Sequence, residues 1–67
     1  MTFRELKIGS LFRFPRHDDP WKGTRQEGAM WRKSTVLNYI NTRRASQRAR
    51  IDDANRSVYE ERVRKPV

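Results

Sequence analysis

The apolar residues of this chain fall in short blocks, and the first block, LKIGSLFRFP at residues 6–15, alternates with a period of two. In an extended chain, one face of this block contains Ile8, Ser10, Phe12 and Phe14. Such alternation, with aromatic and β-branched residues, predicts a β-strand. Gly9 inside the block indicates a bulge or a bend, and Pro15 ends strand pairing. The block therefore predicts the first strand of a small sheet that curls.

The second apolar block, MWRKSTVLNYI at residues 30–40, also favours a strand. Its Ser, Thr, Val, Asn, Tyr and Ile are mediocre helix formers, and the β-branched and aromatic ones are common in strands. A helix that groups Val36, Tyr39 and Ile40 on one side is the alternative. We expect a single strand across the block, with Trp31 and Tyr39 on its more apolar face.

Beyond the second block, the chain is polar and basic over residues 41–57. Residues 49–51 are a short candidate strand, and a turn is indicated at residues 53–55. SVYEERVRKPV, at residues 57–67, is a candidate last strand. A helix over residues 44–65 competes with this interpretation, because several apolar residues there also fall near helical spacing.

Between the two apolar blocks, residues 16–29 contain two glycines, one proline and mostly polar residues. This composition predicts a long loop, and loops of this length in compact domains are often functional. Trp21 lies in this loop between Pro20 and Lys22. We expect Trp21 to be the one aromatic residue that is partly exposed.

The length of 67 residues leaves room for one small domain, and a domain near this size buries only about 60% of the surface of its unfolded chain. There are no cysteines, which excludes disulfides and thiolate metal sites. No apolar run approaches the roughly 18 residues of a membrane span, and residues 1–5 do not resemble a signal peptide. We expect a single small basic domain over residues 1–67, located in the cytoplasm.

Residues suited to catalysis or metal binding are few. The only histidine, His17, stands beside Asp18 and Asp19, and three adjacent residues cannot all point at one centre. The acidic pairs at residues 52–53 and 60–61 are more typical of turns and ion pairs than of a cleft for carboxylate chemistry. Phosphate-binding glycine motifs are absent. We predict that the protein is not an enzyme and that it uses no metal and no cofactor.

The charge of the chain points to a kind of partner. Sixteen Lys and Arg face eight Asp and Glu, for a net charge of +8, and twelve of the sixteen are Arg. Guanidinium groups suit phosphate and carboxylate, and a basic domain attracts polyanions. We predict a non-enzymatic module that binds nucleic acid or serves a complex that handles it. The candidate contacts are Arg43, Arg44, Arg48, Arg50 and Arg56 for phosphates, and Trp21 for an unpaired base.

Two other functions are compatible with the same arginines. The chain could be an adaptor that docks on an acidic protein partner, or a structural component of a phage or a larger assembly. The spacings of the common nucleic-acid-binding motifs are absent. The sequence therefore favours a negatively charged partner without naming it.

The string F-x-x-L-K-x-G-x-x-F-x-F resembles the opening of many short bacterial and phage proteins that are similar to SH3-like small barrels. Here it is formed by Phe3, Leu6, Lys7, Gly9, Phe12 and Phe14. In those proteins an L-K-x-G turn leads into the first strand. The resemblance implies a small β-barrel but no particular function, because SH3-like barrels serve nucleic acid, peptides and complex assembly alike.

We therefore expect an all-β domain, a small and partly open SH3-like barrel of four or five strands. The alternative is an α+β fold with a C-terminal helix over residues 44–65. The expected core consists of Leu6, Ile8, Phe12, Phe14, Trp31, Val36, Tyr39, Ile51, Val58 and Val63.

Overall fold

Five short β-strands and one 3-10 turn at Arg16–Asp18 are the regular elements of the structure, a computed structural model that describes residues 1–62. The strands are β1 (Leu11–Arg13), β2 (Trp31–Lys33), β3 (Asn38–Asn41), β4 (Arg48–Arg50) and β5 (Tyr59–Glu61). The all-β prediction is confirmed. The alternative of a helix over residues 44–65 is wrong for its described part, because that part contains β4 and β5. In residues 1–62 there is no helix with the length and apolar character needed to cross a membrane.

The strands form one antiparallel sheet in the order β4-β3-β2-β1-β5. Strands β2, β3 and β4 are sequential neighbours, whereas β5 returns to pair with β1. A bridge between Thr2 and Ser57 brings the lead-in against the segment before β5. The pairing of β5 with β1 and of the lead-in with the segment before β5 gives a small barrel-like fold, in which β4 and β5 are the edge strands among residues 1–62.

The second apolar block is a hairpin and not the single strand that its composition predicts. The chain turns between β2 and β3, where the Ser34 amide donates a hydrogen bond of 2.9 Å to the Asn38 carbonyl. The Thr35 hydroxyl closes the turn by donating to Asn38 Oδ1 at 2.7 Å. Val36 lies at the tip of this turn and is 65% exposed. Its place in the expected core was therefore wrong.

The first apolar block bends at Gly9, as its sequence indicates. Gly9 has a φ of +94°, in the region that favours glycine, and its amide donates to the Lys33 carbonyl at 2.7 Å. Strand β1 begins only after the bend, so the alternation buries Phe12 and Phe14 but does not extend back to Ile8. Ile8 is 60% exposed, and its expected burial was wrong.

The core is an aromatic cluster with aliphatic residues around it. Tyr39 is at its centre, with edge-to-face contacts to four other rings at centroid distances of 4.9–6.0 Å. Edge-to-face pairs of this kind add about 0.5–1.5 kcal/mol each beyond burial. Seven of the expected core residues are confirmed, Phe3 is an eighth that the prediction omitted, and Val63 lies outside the described residues. The buried set is Phe3, Leu6, Phe12, Phe14, Trp31, Tyr39, Ile51 and Val58.

A buried lysine joins the lead-in to the sheet. The Lys33 ammonium donates to the carbonyl oxygens of Phe3 and Leu6, both at 2.7 Å. It also lies 4.6 Å from the centroid of the Phe3 ring, which is cation–π geometry. Only 3% of Lys33 is exposed, and this burial lowers its pKa. Two carbonyl oxygens and an aromatic face thus replace the water that a lysine ammonium normally binds.

Substitution of Lys33 by Met is expected to destabilise the fold by about 1–3 kcal/mol, because the buried Leu6 carbonyl loses its hydrogen-bond donor. The measurement is urea unfolding followed by tryptophan fluorescence. Lys7→Met is the matched control, since Lys7 is exposed and its replacement should change stability by less than about 0.5 kcal/mol. Equal stability of the two variants would show that the buried ammonium contributes nothing.

Candidate polyanion-binding surface

Acidic residues are absent from one segment of the chain, which leaves that segment with positive charge alone. Residues 30–51, which span β2, β3 and β4, contain no Asp or Glu, and all eight acidic residues lie outside this segment. The six basic residues within it are Arg32, Lys33, Arg43, Arg44, Arg48 and Arg50. Lys33 is buried, whereas the five arginines are exposed. The β2–β4 part of the sheet therefore carries positive charge alone. This pattern can be read from the sequence, although the total charge of the chain does not reveal it.

The pairing register places three of these arginines, Arg32, Arg48 and Arg50, on the outer face of the sheet. Arg32 pairs with Ile40, and Ile40 pairs with Arg48, so the three residues form a row across β2, β3 and β4. Directly opposed residues have Cβ atoms about 4.5–5.5 Å apart. Arg50 shares the face of Arg48, because Ala49 between them faces inward. The sequence analysis identified Arg48 and Arg50 but not Arg32, which joins them only through the strand register.

Four arginines from distant segments line a groove of about 580 Å³, here called the arginine groove. Arg13 comes from β1, Arg25 from the long loop, and Arg43 and Arg44 from the turn between β3 and β4. Its apolar lining comes from Ala29 and Met30, and Glu27 is its one acidic residue. The structure thus brings Arg43 and Arg44 together with two arginines that the sequence did not single out.

Local hydrogen bonds fix the turn that holds Arg43 and Arg44. The Asn41 side chain is buried, and its Oδ1 accepts a hydrogen bond of 2.8 Å from the Arg43 amide. The Thr42 amide and hydroxyl both donate to the Met30 carbonyl, at 3.2 and 3.0 Å. These bonds attach the turn to the start of β2 and so keep its arginines beside the end of the long loop.

The long loop at residues 16–29 is folded around one carboxylate. Asp19 is 9% exposed; its Oδ1 accepts a hydrogen bond of 2.8 Å from the Trp21 amide, and its Oδ2 accepts one of 2.9 Å from the Gly28 amide. Gly28 has a φ of +72°, so a side chain at this position would strain the closure. Asp19 therefore closes residues 19–28 into a compact unit that presents Trp21 on one side and Arg25 on the other.

Trp21 is half-buried, as expected. It is not the one aromatic residue with an exposed surface, because Tyr59 is 61% exposed. Its indole stacks on Trp31 at a centroid distance of 5.1 Å and an interplanar angle of 27°. Its Nε1 donates to the Tyr39 hydroxyl at 3.0 Å. Burial raises the pKa of Tyr39, so this hydroxyl stays protonated at neutral pH. Trp21 is thus held by contacts to two core residues.

The exposed part of Trp21 lines a second groove, of about 280 Å³, here called the aromatic groove. Its walls are Pro20, Trp21, Tyr39, Ala49, Arg50 and Asp52. One candidate phosphate contact, Arg50, therefore lies beside the candidate stacking residue. The two were predicted separately, and the structure brings them together.

Arg56 differs from the other predicted arginines, because two carboxylates hold its guanidinium. It contacts Asp52 through a bond of 2.8 Å from one terminal nitrogen and a bond of 3.1 Å from Nε, and it lies 3.1 Å from Asp18. The hydrogen bond from Arg56 lowers the pKa of Asp52. Arg56 therefore joins the long loop to the segment before β5, and its charge is balanced within the fold.

Few of the remaining arginines are balanced in this way. Arg13 lies 3.4 Å from Glu61, which is the one other arginine–carboxylate pair within residues 1–62. Arg43, Arg44, Arg48 and Arg50 have no carboxylate within 4.0 Å in that part of the chain. Four of the five predicted arginines therefore present unbalanced charge to solvent.

The His17-Asp18-Asp19 trio does not converge on one point. His17 is exposed, Asp18 contacts Arg56, and Asp19 accepts backbone hydrogen bonds. Among the described residues, no group of three or more His, Cys, Asp or Glu side chains is arranged to hold a metal ion.

Comparisons with protein-family models, with curated proteins and with solved structures give no match to this chain. The resemblance of residues 3–14 to SH3-like small barrels stays a prediction. The two grooves and the outer face of the sheet are therefore the features that bear on function.

Replacement of Asp19 by Ala is expected to destabilise the protein by about 1–3 kcal/mol, because two amide groups lose a charged acceptor. Urea unfolding monitored by fluorescence measures this change. Glu27→Ala removes the same charge from the same loop without removing a hydrogen bond between described residues, and it should change stability by less than about 0.5 kcal/mol. A similar loss in both variants would contradict the role given to Asp19.

Proposed function

We propose that this protein is a non-enzymatic module that binds nucleic acid, either alone or as an accessory of a complex that handles nucleic acid. The observation that supports the proposal is the arrangement of Arg43, Arg44, Arg48 and Arg50 on one hairpin that has no acidic residue. Phosphate neutralisation by arginine releases counterions, and this release provides most of the sequence-independent affinity for nucleic acid. We also propose that the protein acts in the cytoplasm.

The chemistry of the arginine groove supports binding and not proton transfer. Guanidinium groups stay charged at every physiological pH and donate hydrogen bonds in a planar fork that fits phosphate oxygens. Arg25, Arg43 and Arg44 lie around this groove without a carboxylate partner among residues 1–62. Such a groove holds an anion in place, which is the task of a binding module.

The proposal rests on four of the five arginines that the sequence suggested. Arg56 is balanced by Asp18 and Asp52, so its proposed contribution is to hold the long loop in position. Trp21 remains the proposed stacking residue, because its exposed part borders the groove that also contains Arg50.

The second candidate function is an adaptor that docks on an acidic protein. The row of Arg32, Ile40 and Arg48 on the outer face favours it, since half-buried Ile40 adds an apolar contact between two charges. Arginine is enriched in protein interfaces as well as in phosphate sites. Competition between an oligonucleotide and an acidic peptide separates the two functions.

The test is a titration with labelled oligonucleotides over a range of salt concentrations. Contacts to four phosphates predict a log–log salt slope of about −2.8 for single strands and about −3.6 for duplex DNA. The double variant Arg48→Gln/Arg50→Gln should reduce the magnitude of this slope by about half.

The matched control is Arg4→Gln/Arg16→Gln, which removes the same charge from residues that line neither groove. This control should leave the slope close to that of the unmodified protein. Equal slopes for the two double variants would contradict the proposed site. Displacement of the oligonucleotide by polyglutamate of equal charge and at equal concentration would favour the adaptor.

A further inference from the structure

The arginine groove and the aromatic groove are neighbours along β3. Asn41 lines the first groove and Tyr39 lines the second. These residues are two positions apart in one strand, which corresponds to about 7 Å. The long loop borders both grooves, with Pro20 and Trp21 at the aromatic groove and residues 25–29 at the arginine groove. The two grooves are therefore close enough for one extended ligand to contact both.

We propose that the two grooves form one site for single-stranded nucleic acid. One unpaired base stacks on Trp21 in the aromatic groove, and the adjoining phosphates lie among Arg25, Arg43 and Arg44 in the arginine groove. This inference rests on the proposed function. It adds that the ligand is single-stranded and that Arg25 contacts its phosphates.

The aromatic groove has the form needed to take a base. Trp21 is fixed before any ligand arrives, because Trp31 stacks against it and the Tyr39 hydroxyl holds its Nε1. A fixed aromatic ring loses little conformational entropy on binding. Pro20 and Ala49 supply apolar walls, and Arg50 supplies a positive charge at the same groove. Asp52 also lines this groove, and its carboxylate is paired with Arg56 at 2.8 Å. A planar base with a phosphate attached matches this combination.

The nucleic-acid strand must be unpaired for a base to stack on Trp21. Bases in a duplex are stacked on their neighbours and offer only their edges to a protein, whereas bases of a single strand can turn out and stack on aromatic side chains. Trp21 is held against the core by two contacts, so it is not free to insert between base pairs. The aromatic groove therefore selects single strands over duplexes.

The charges in the arginine groove fit a phosphate backbone. Four guanidinium groups and one carboxylate, that of Glu27, line it. Arg13 shares its charge with Glu61 at 3.4 Å, and no carboxylate of residues 1–62 lies within 4.0 Å of the other three guanidinium groups. Arg25 is brought to this groove by the Asp19-closed loop, so its contribution can be tested separately from that of the hairpin.

The first experiment varies the ligand and leaves the protein unchanged. Fluorescence anisotropy measures the affinity for single-stranded DNA, single-stranded RNA, duplex DNA and a fully abasic single strand, all of equal length. Binding to both single strands should exceed binding to the duplex. Removal of the bases should weaken binding about 5- to 150-fold, the range for stacking of one base. A difference between DNA and RNA identifies which source of single strand the site prefers.

The second experiment compares two substitutions in the long loop. Arg25→Gln removes a charge from the arginine groove, whereas Arg16→Gln removes a charge from the same loop outside both grooves. Arg25→Gln should weaken single-strand binding several-fold more than Arg16→Gln does at the same salt concentration. Urea unfolding of both variants checks that the fold is retained.

The outcomes separate this inference from the proposed function. Equal binding of abasic and normal strands, or a preference for the duplex, overturns the single-strand inference and leaves nucleic-acid binding in place, with the outer face around Arg32 and Arg48 as the contact. Equal effects of Arg25→Gln and Arg16→Gln overturn the assignment of the phosphates to the arginine groove. Absence of binding to every oligonucleotide overturns both the inference and the proposed function.

Discussion

The hydrogen-bonded ammonium of Lys33 is the interaction that joins the lead-in to the sheet. The ammonium donates hydrogen bonds to the carbonyl oxygens of Phe3 and Leu6. The Lys33 backbone is hydrogen-bonded to Gly9 and Ser10, across the bend before β1. One residue of β2 thus fixes the lead-in, the bend and the Phe3 ring together. Burial of a charge is costly unless it is well hydrogen-bonded. Together with the bridge between Thr2 and Ser57, the Lys33 contacts hold the lead-in against the aromatic core.

Several acidic residues make contacts that stabilise the fold, whereas the arginines of residues 30–51 have no carboxylate within 4.0 Å in residues 1–62. Asp19 closes the long loop, Asp18 and Asp52 hold Arg56, and the Asp53 carboxylate accepts the Asn55 amide at 2.9 Å. None of these carboxylates faces the hairpin arginines within ion-pair distance. The positive character of the β2–β4 surface is therefore a consequence of how the fold uses its few acids, and salt will screen it strongly because it is exposed.

Local sequence patterns predicted that strands form better than they predicted where each strand begins and ends. Alternation located Phe12 and Phe14 in the core, but it failed at Ile8 and Val36, because a bend at Gly9 and a turn after β2 interrupt the period of two. Phe3 was omitted from the predicted core, since its burial depends on contacts with Phe12, Lys33 and Tyr39 that only the fold brings together. The candidate site shows the same division: the hairpin arginines are visible as a cluster in the sequence, whereas Arg13, Arg25 and Arg32 join them only through the loop closure and the strand register.

Within residues 1–62, strand β4 is one edge of the sheet, and its exposed residues are Arg48 and Arg50. An unpaired edge is a template on which a second chain can add a strand, and charged side chains on the edge prevent this by repulsion. The arginines proposed to bind phosphate therefore also oppose the edge-to-edge pairing of two copies. A polyanion that neutralises these charges weakens that repulsion.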